Sequence, residues 1–305
     1  MRIGTRRSAL ALAQAELVAE MLGEWGGSES IEIVPMLTGG DSGAGAADKS
    51  RWVAELEQAL LDGRIDLAVH SAKDVPGELA AGTALLGVPP RAPAEDVLCG
   101  AAELSALAPG ARVGTSSLRR VAQLRAARED LEVVPLRGNV DTRLAKLADR
   151  EQRLDAIVLA RAGLVRLGRE HEAGGSLDPD RFVPAPGQGA LALQGRSDDE
   201  RALEAAAAIS NEPSLRSLRA ERALAAELSA DCNTPLGARA EHLPDEGLRL
   251  RAWVGLPDGS AWAADQLCGE ARDPEALGAA VAARLRSVGA EDLLSAAREM
   301  AGDGR

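Results

Sequence analysis

Aromatic side chains and cysteines are scarce in this chain of 305 residues, and each shortage excludes a class of protein. There is no tyrosine and one phenylalanine, while acidic residues outnumber basic ones by 47 to 35. Proteins that bind nucleic acid usually combine a basic face with stacking aromatics, so we expect no nucleic-acid partner. The three cysteines are far apart, which fits neither a disulfide framework nor a CxxC zinc site, and we expect no bound metal.

Long hydrophobic runs are also missing, so no segment is predicted to cross a membrane. The basic start followed by residues 9–13 is similar to a signal peptide, but Gln14 and Glu16 interrupt its apolar part. The same residues continue as an amphipathic helix through Leu22. We therefore expect a mature cytoplasmic protein with no membrane partner.

Short apolar strands alternate with helix patterns along most of the chain, which is typical of an α/β protein. A Pro-rich break at 89–93 predicts a first domain boundary, and beyond Pro213 the order changes to helix, loop, strands and two closing helices. That last stretch predicts a smaller α+β domain with a hairpin turn at 256–259. The predicted strands are residues 31–37, 65–69, 111–114, 131–136, 154–160, 190–193, 236–242, 248–256 and 261–267.

The segment Gly114–Arg120 has the composition of an anion site. It carries three hydroxyl groups and ends in Arg119 and Arg120, and a helix is predicted over 118–128. The first backbone N–H groups of a helix have no partner within it, so a bound anion completes that helix end. Adjacent arginines in a chain of net charge −12 favour this interpretation.

A second arginine-rich segment, Arg137–Arg143, follows the next predicted strand. Asn139 can cap the helix that begins there, and Arg143 then returns to nearly the same face one turn later. Guanidinium groups bind carboxylates through paired hydrogen bonds, so four arginines at neighbouring strand ends indicate a ligand with several carboxylates. The alternative is two capped helix starts whose arginines are merely solvated.

Lys73 and Asp74 follow another predicted strand, in the segment His70–Pro76. Ligands of open α/β sheets bind at the carboxyl ends of the strands, which places both residues in a functional position. An ion-paired strand end without a function is equally compatible with the sequence, because solvated pairs of this kind are common and contribute little to stability.

The segment Gly43–Ser50 is one residue short of a phosphate-binding P-loop. Asp48 replaces the second glycine and places a negative charge where phosphates need bare N–H groups. A mobile loop of small residues, whose Lys49 is still able to reach a ligand, is the favoured interpretation.

Cys232 is the cysteine that the sequence favours for covalent chemistry. Cys99 and Cys268 stand in apolar settings, where a cysteine usually serves as a small hydrophobic residue. The neighbours of Cys232 are polar or turn-forming, which predicts a reachable thiol. An exposed, unreactive thiol is the alternative that these residues leave open.

Taken together, these segments resemble the hydroxymethylbilane synthase family, also called porphobilinogen deaminases, over the whole length of the chain. Seven segments in the family's order carry the resemblance. They are Ile3–Ala11 with Gln14, Ala68–Pro76, Gly114–Arg120, Leu136–Val140, Pro184–Ala190, Ala220–Ala223 and the loop around Cys232.

The resemblance implies an enzyme, a transferase of tetrapyrrole and heme biosynthesis. The family joins four porphobilinogen molecules head to tail with loss of ammonia, and then releases linear hydroxymethylbilane by hydrolysis. Every pyrrole carries acetate and propionate groups, which supply the carboxylates that the arginines require. The implied partners are porphobilinogen and its oligomers, with uroporphyrinogen-III synthase as a functional neighbour, and the protein is expected to be a monomer.

Residue roles also follow from the resemblance. Cys232 matches the cysteine that holds a dipyrromethane cofactor by a thioether, and Asp74 matches the acidic catalyst that stabilises the cation left when ammonia departs. The cofactor is expected to contact Lys73, Asp74, Ser117, Arg119, Arg120 and Arg143. The substrate and the growing chain are expected to contact Arg6, Ser8, Thr115, Ser116, Arg137, Arg143 and Arg166.

The implied fold has two similar α/β domains of the periplasmic-binding-protein type and a smaller C-terminal α+β domain that carries the cofactor loop. The expected domains are residues 1–89 with 188–208, residues 93–184, and residues 212–305. The chain departs from the family at Glu95, where arginine is common, at Ala230–Asp231 before the cofactor cysteine, and in a shortened loop before Trp52. A non-enzymatic module that binds small anions is the alternative function.

Overall fold

The computed structural model describes residues 1–26, 30–36, 50–231, 234–244 and 246–302. Its strands are, in chain order, β1 (Arg2–Arg6), β2 (Glu32–Met36), β3 (Leu67–Ser71), β4 (Thr83–Gly87), β5 (Asp96–Cys99), β6 (Arg112–Gly114), β7 (Glu132–Val134), β8 (Ala156–Ala160), β9 (Leu191–Arg196), β10 (Leu236–His242), β11 (Gly247–Gly255) and β12 (Trp262–Glu270). Its α-helices are α1 (Ala9–Gly26), α2 (Ser50–Leu61), α3 (Leu118–Ala127), α4 (Val140–Ala148), α5 (Arg161–Arg166), α6 (Glu200–Ala208), α7 (Glu212–Glu227), α8 (Pro274–Ser287) and α9 (Ala290–Gly302). Among these described helices, none is both long and apolar enough for a membrane span.

The chain divides into two compact units, and the first consists of Met1–Ala92 with Gly189–Leu218. Its five-stranded sheet has the order β2-β1-β3-β9-β4. Strand β1 runs parallel to β2 and β3, whereas β9 runs antiparallel between β3 and β4. The later stretch of chain therefore completes the first sheet, as the family resemblance predicts. Helices α1 and α6 pack on one face around Ile3 and Leu193, and α2 packs on the other around Leu56 and Ala68.

The sequence pattern does not predict strand β1, because it assigns no strand before residue 31. Ile3 and Thr5 are nevertheless fully buried, and the Thr5 hydroxyl donates to the carbonyl oxygen of Ala11 (3.0 Å). Helix α1 starts after Ser8, whose Oγ accepts a hydrogen bond from the N–H of Ala11 (3.3 Å). Both strands that flank β1 lie far away in sequence, so the local pattern held no sign of the pairing.

Strand β3 ends two residues later than predicted, so His70 and Ser71 belong to the strand and not to the loop after it. The Gln14 amide of α1 donates to the Ser71 hydroxyl (2.9 Å), which fixes the end of the strand against the helix. A single 3-10 turn, Ala72–Asp74, then follows. Asp74 therefore lies one short turn beyond the carboxyl end of the strand.

The second unit, Pro93–Gln188 with Arg219–Arg305, contains two sheets. In the four-stranded sheet β5-β8-β6-β7, strands β6, β7 and β8 are parallel and β5 is antiparallel. The antiparallel sheet β10-β11-β12 packs against α8 and α9, and the predicted hairpin turn joins β11 to β12 with Gly259 at φ +77°. The predicted fold class, two α/β regions and a smaller α+β region, is confirmed, while the exact domain boundaries stay a prediction.

One of the cysteine predictions is wrong. Cys268 is exposed, because strand β12 alternates between half-buried and exposed positions and Cys268 lies on the exposed face. Cys99 is buried as predicted, and burial raises the pKa of its thiol to about 11. Cys232 and the loop segment 43–49 lie outside the described residues.

Candidate active site

The candidate residues lie at two polar sheet edges, one in each unit. Parallel strands of one sheet end at the same edge, so the residues that follow them come close together. In the first unit these strands are β1 and β3, and in the second unit they are β6, β7 and β8.

At the edge of the first unit, Arg6 ends β1 and Asp74 ends the turn after β3, and both line one cavity of about 70 Å³. The other polar residues of its wall are Ser8, Gln14, His70 and Ser71. A guanidinium and a carboxylate in one cavity suit a ligand that carries groups of both charges. Lys73 is half-buried in the same turn. The structure thus brings the predicted residues Arg6, Ser8 and Asp74 together.

His70 is buried beside this cavity, with 6% of its surface exposed. The residue belongs to a buried polar cluster in which the Gln194 amide nitrogen donates to Glu57 Oε1 and to Thr83 Oγ1, both at 2.8 Å. Burial lowers the pKa of His70 to about 4, although Gln194, Glu57 and Asp74 act to raise it. The imidazole is therefore neutral at neutral pH.

This depressed pKa makes the stability of the first unit depend on pH. In the unfolded chain the His70 imidazole has its usual pKa of 6.5, so the unfolded state binds a proton first as the pH falls. The contribution of neutral His70 to the free energy of unfolding is therefore complete above pH 6.5. It is lost progressively as the pH falls toward 4. We expect the free energy of unfolding to be about 2 kcal/mol lower near pH 5 than near pH 7. Urea denaturation at both pH values tests this, and a His70→Phe protein with an unaltered pH dependence would contradict it.

At the edge of the second unit, the hydroxyl residues predicted to bind an anion precede helix α3. Thr115 is buried and its Oγ1 accepts from the N–H of Ser117 (3.3 Å). Ser117 occupies the N-cap of α3 without capping it through its side chain, and Ser116 is exposed. The helix therefore does not use the Ser117 hydroxyl, which suits it to bind a ligand at the helix start.

The segment after β7 forms the predicted helix cap. Asn139 Oδ1 accepts from the N–H of Thr142 (2.8 Å) at the start of α4. Gly138 has φ +124°, and a β-carbon there would come within 2.7 Å of Thr142, so this turn requires glycine. Arg137 is exposed, and the Arg143 Nε donates to the Gly138 carbonyl oxygen (2.8 Å).

The third parallel strand, β8, leads directly into α5, which begins at Arg161 and ends at Arg166. Burial lowers the pKa of Arg166 to about 10, so this guanidinium remains charged at neutral pH. Arg161 forms ion pairs with Glu95 (2.9 Å) and Glu170 (2.6 Å). The departure from the family at Glu95 thus has a cationic partner in this chain.

Arg119 and Arg120 have a neighbour that the sequence did not reveal. Both are buried, and they share the carboxylate of Asp96 at 2.8 and 2.7 Å. Each also donates to a backbone carbonyl oxygen, Arg119 to that of Val183 and Arg120 to that of Val158, both at 2.9 Å. Two guanidinium groups and one carboxylate leave the cluster with a net positive charge.

Asp96 is the functional candidate that the sequence analysis missed. It begins the apolar strand β5 and is 1% exposed, and it also accepts from the Gln188 amide (2.7 Å). Burial alone raises the pKa of Asp96, but Arg119 and Arg120 outweigh it and hold the pKa well below its usual range. An acidic residue at the start of an otherwise apolar strand was the one available signal.

Replacement of Asp96 by asparagine should destabilise the second unit by about 3–5 kcal/mol, because two buried guanidinium groups lose their shared counter-ion. Urea denaturation measures the change. Asp130→Asn is a matched control, since it breaks an exposed pair with Arg128 (2.7 Å) and should change stability little. Equal, small effects of the two substitutions would show that the cluster is not held by its charges.

Comparison with family models agrees with the family resemblance. Two family profiles match the chain, "Porphobilinogen deaminase, dipyromethane cofactor binding domain" at residues 1–204 and "Porphobilinogen deaminase, C-terminal domain" at residues 215–287. Among solved structures, a periplasmic substrate-binding protein of an ABC transporter from Coxiella burnetii is 14% identical, with a TM-score of 0.41, over 73% of this chain and 96% of that one.

Curated relatives match the chain over nearly its full length. The porphobilinogen deaminase of Thermus thermophilus is 44% identical over 298 residues, which cover 97% of this chain and 98% of the relative. The porphobilinogen deaminase of Xanthomonas euvesicatoria is 46% identical over 303 residues, with the same coverage. The chain therefore belongs to the porphobilinogen deaminase family, whose members are hydroxymethylbilane synthases, transferases that use a dipyrromethane cofactor.

Proposed function

We propose that this chain makes hydroxymethylbilane with Asp74 as its catalytic carboxylate and with Cys232 as the residue that carries the dipyrromethane. The observation that supports the role of Asp74 most is the cavity it shares with Arg6 and Ser8. That cavity pairs a group that stabilises positive charge with groups that bind carboxylates. Porphobilinogen, which carries an aminomethyl group and two carboxylates, matches both.

Each of these residues has a defined task in the reaction. The Arg6 guanidinium and the Ser8 hydroxyl bind the carboxylates of the substrate and hold its ring in the cavity. When the C–N bond of the aminomethyl group breaks, its electron pair leaves with nitrogen and positive charge spreads over the pyrrole. The carboxylate of Asp74 stabilises that charge as it develops, and it can accept the ring proton that is released when the new C–C bond forms.

The polar edge of the second unit fits a cofactor that bears several carboxylates. The Ser117 hydroxyl is not used in capping, Arg137 is exposed, and the Arg119–Arg120–Asp96 cluster keeps a net positive charge. We assign binding of the cofactor to Lys73, Asp74, Ser117, Arg119, Arg120 and Arg143. We assign the substrate and growing chain, besides Arg6 and Ser8, to Thr115, Ser116, Arg137, Arg143 and Arg166. When bound, the dipyrromethane supplies the pyrrole carbon to which the first substrate unit is joined.

The ion pairs of Arg119 and Arg120 determine how these two residues can act. Both guanidinium groups already form an ion pair with Asp96, so we do not expect each of them to bind a ligand carboxylate through two paired hydrogen bonds. They act on the cofactor through the net charge of the cluster, which is stronger in this buried setting than in water. Asp96 is then the positioning residue that keeps both groups in place.

The chain is proposed to be a cytoplasmic monomer that passes its unstable product to uroporphyrinogen-III synthase. Residues Arg2–Arg6 form an internal strand of the first sheet, so this basic segment is part of the fold. Light scattering of the purified protein at the mass of one chain would support the monomer, and a dimer mass would refute it.

Incubation of the purified protein with porphobilinogen tests the function. We expect one ammonia to be released for each porphobilinogen consumed, and one hydroxymethylbilane to form from four. A non-enzymatic anion-binding module would bind porphobilinogen without releasing ammonia. Absence of ammonia release from correctly folded protein that carries the cofactor would refute the proposal.

A further inference from the structure

His70 lines the cavity that holds Asp74, yet the reaction described above gives it no role. Its side chain is 6% exposed, and its Nε2 atom is buried without a hydrogen bond of good geometry to any described residue. A buried imidazole costs free energy unless its polar atoms have partners, so each ring nitrogen needs one. Because the ring borders the cavity, a ligand is the partner to consider.

Gln194 determines which ring nitrogen faces that ligand. Its amide nitrogen donates to Glu57 and Thr83. Its carbonyl oxygen is also buried and accepts no hydrogen bond of good geometry, so it is available to the imidazole. The Gln194 side chain interacts with His70 closely enough to raise the imidazole pKa, against the larger lowering effect of burial. A proton on Nε2 satisfies both buried atoms, and Nδ1 is then left as an acceptor.

We propose that Nδ1 of neutral His70 accepts a hydrogen bond from the aminomethyl group of the incoming porphobilinogen. The inference rests on the proposed function. His70 is then a specificity-determining residue that recognises the group to be eliminated, while Asp74 acts on the pyrrole ring. Glu57 and Gln194 are positioning residues that hold the imidazole in the required tautomer.

The amine leaves as neutral ammonia, so it reacts in its protonated form, whose N–H groups are hydrogen-bond donors. The lone pair of a neutral imidazole accepts one of these hydrogen bonds and orients the amine. Burial is the largest effect and, with a smaller one from Arg6, holds the pKa of His70 at about 4 although Glu57 and Asp74 raise it, so the imidazole remains neutral.

A comparison of two ligands distinguishes recognition of the amine by His70 from a purely structural role of that residue. One is porphobilinogen, and the other is the same pyrrole with a methyl group in place of the aminomethyl group, which cannot react. We expect His70→Phe to lower kcat/KM for porphobilinogen by about tenfold or more, because a hydrogen bond to a charged group is lost. The inhibition constant of the methyl analogue should remain within about twofold, since the analogue has no such hydrogen bond to lose.

Two further variants sharpen this test. His70→Asn keeps an amide oxygen near the position of Nδ1 and should recover part of the lost kcat/KM. His171→Phe removes an imidazole that is 73% exposed and should change neither constant.

Either of two results would overturn the inference: an equal loss for both ligands in His70→Phe, or an unchanged kcat/KM. If the unaltered protein releases no ammonia from porphobilinogen, the proposed function fails instead, so the two failures are distinguished.

A spectroscopic measurement keeps the inference testable if His70→Phe does not fold. The chain has three histidines, and His171 and His242 are exposed, so they serve as references for the ¹⁵N resonances of His70. In slow-turnover Asp74→Asn protein, we expect the Nδ1 resonance of His70 to shift when porphobilinogen binds and not when the methyl analogue binds. The same shift with both ligands, or none with either, would overturn the inference.

Discussion

Replacement of Asp74 by asparagine should lower the turnover of porphobilinogen by about 10²–10⁴-fold and leave the covalent cofactor in place. Asparagine keeps the size of the side chain and one carbonyl oxygen, but it removes the negative charge beside the substrate. The positive charge that Asp74 stabilises develops only as ammonia departs. The loss should therefore appear in kcat far more than in KM.

Two further variants make the Asp74 result specific. Asp74→Glu keeps the charge but moves it by one methylene, so it should retain more turnover than Asp74→Asn. Glu78→Gln removes an exposed carboxylate from the same loop and should leave kcat unchanged. Steady-state release of ammonia measures all three proteins, and a near-normal kcat in Asp74→Asn would remove Asp74 from the proposed role.

Replacement of Cys232 by alanine should abolish both the covalent pyrrole pigment and hydroxymethylbilane synthesis. Alanine cannot form the thioether, so neither the dipyrromethane nor the chain that grows from it stays attached to the protein. The Ehrlich colour reaction on acid-precipitated protein measures the pigment, and ammonia release measures the activity. Cys268→Ala removes an exposed thiol of the same chain and should retain both. Pigment that survives denaturation of Cys232→Ala would place the attachment elsewhere.

The parts of the site that depend on local sequence could be predicted. Asn139 caps α4 as expected, and the hydroxyl segment before α3 lies at the carboxyl end of a parallel strand. Arg6 and Asp74 reach one cavity, although β1 was not predicted and β3 is shifted. The places of these residues in the fold could be predicted because they depend on strand ends and helix starts, which short segments specify.

Contacts between distant parts of the chain could not be predicted in this way. Asp96 meets Arg120 across 24 residues, and Gln194 meets Glu57 across 137 residues. Neither pairing leaves a periodic signal, because each depends on how a whole sheet is assembled. The arginine pair therefore suggested a free anion site from sequence, and the fold shows that one carboxylate already binds both guanidinium groups.

The intact mass of the unaltered protein, purified from cells that make tetrapyrroles, tests the assignment most directly. The protein should be heavier than its sequence by one dipyrromethane, and digestion should place the added mass on the peptide that contains Cys232. A mass equal to that of the bare sequence would contradict the assignment.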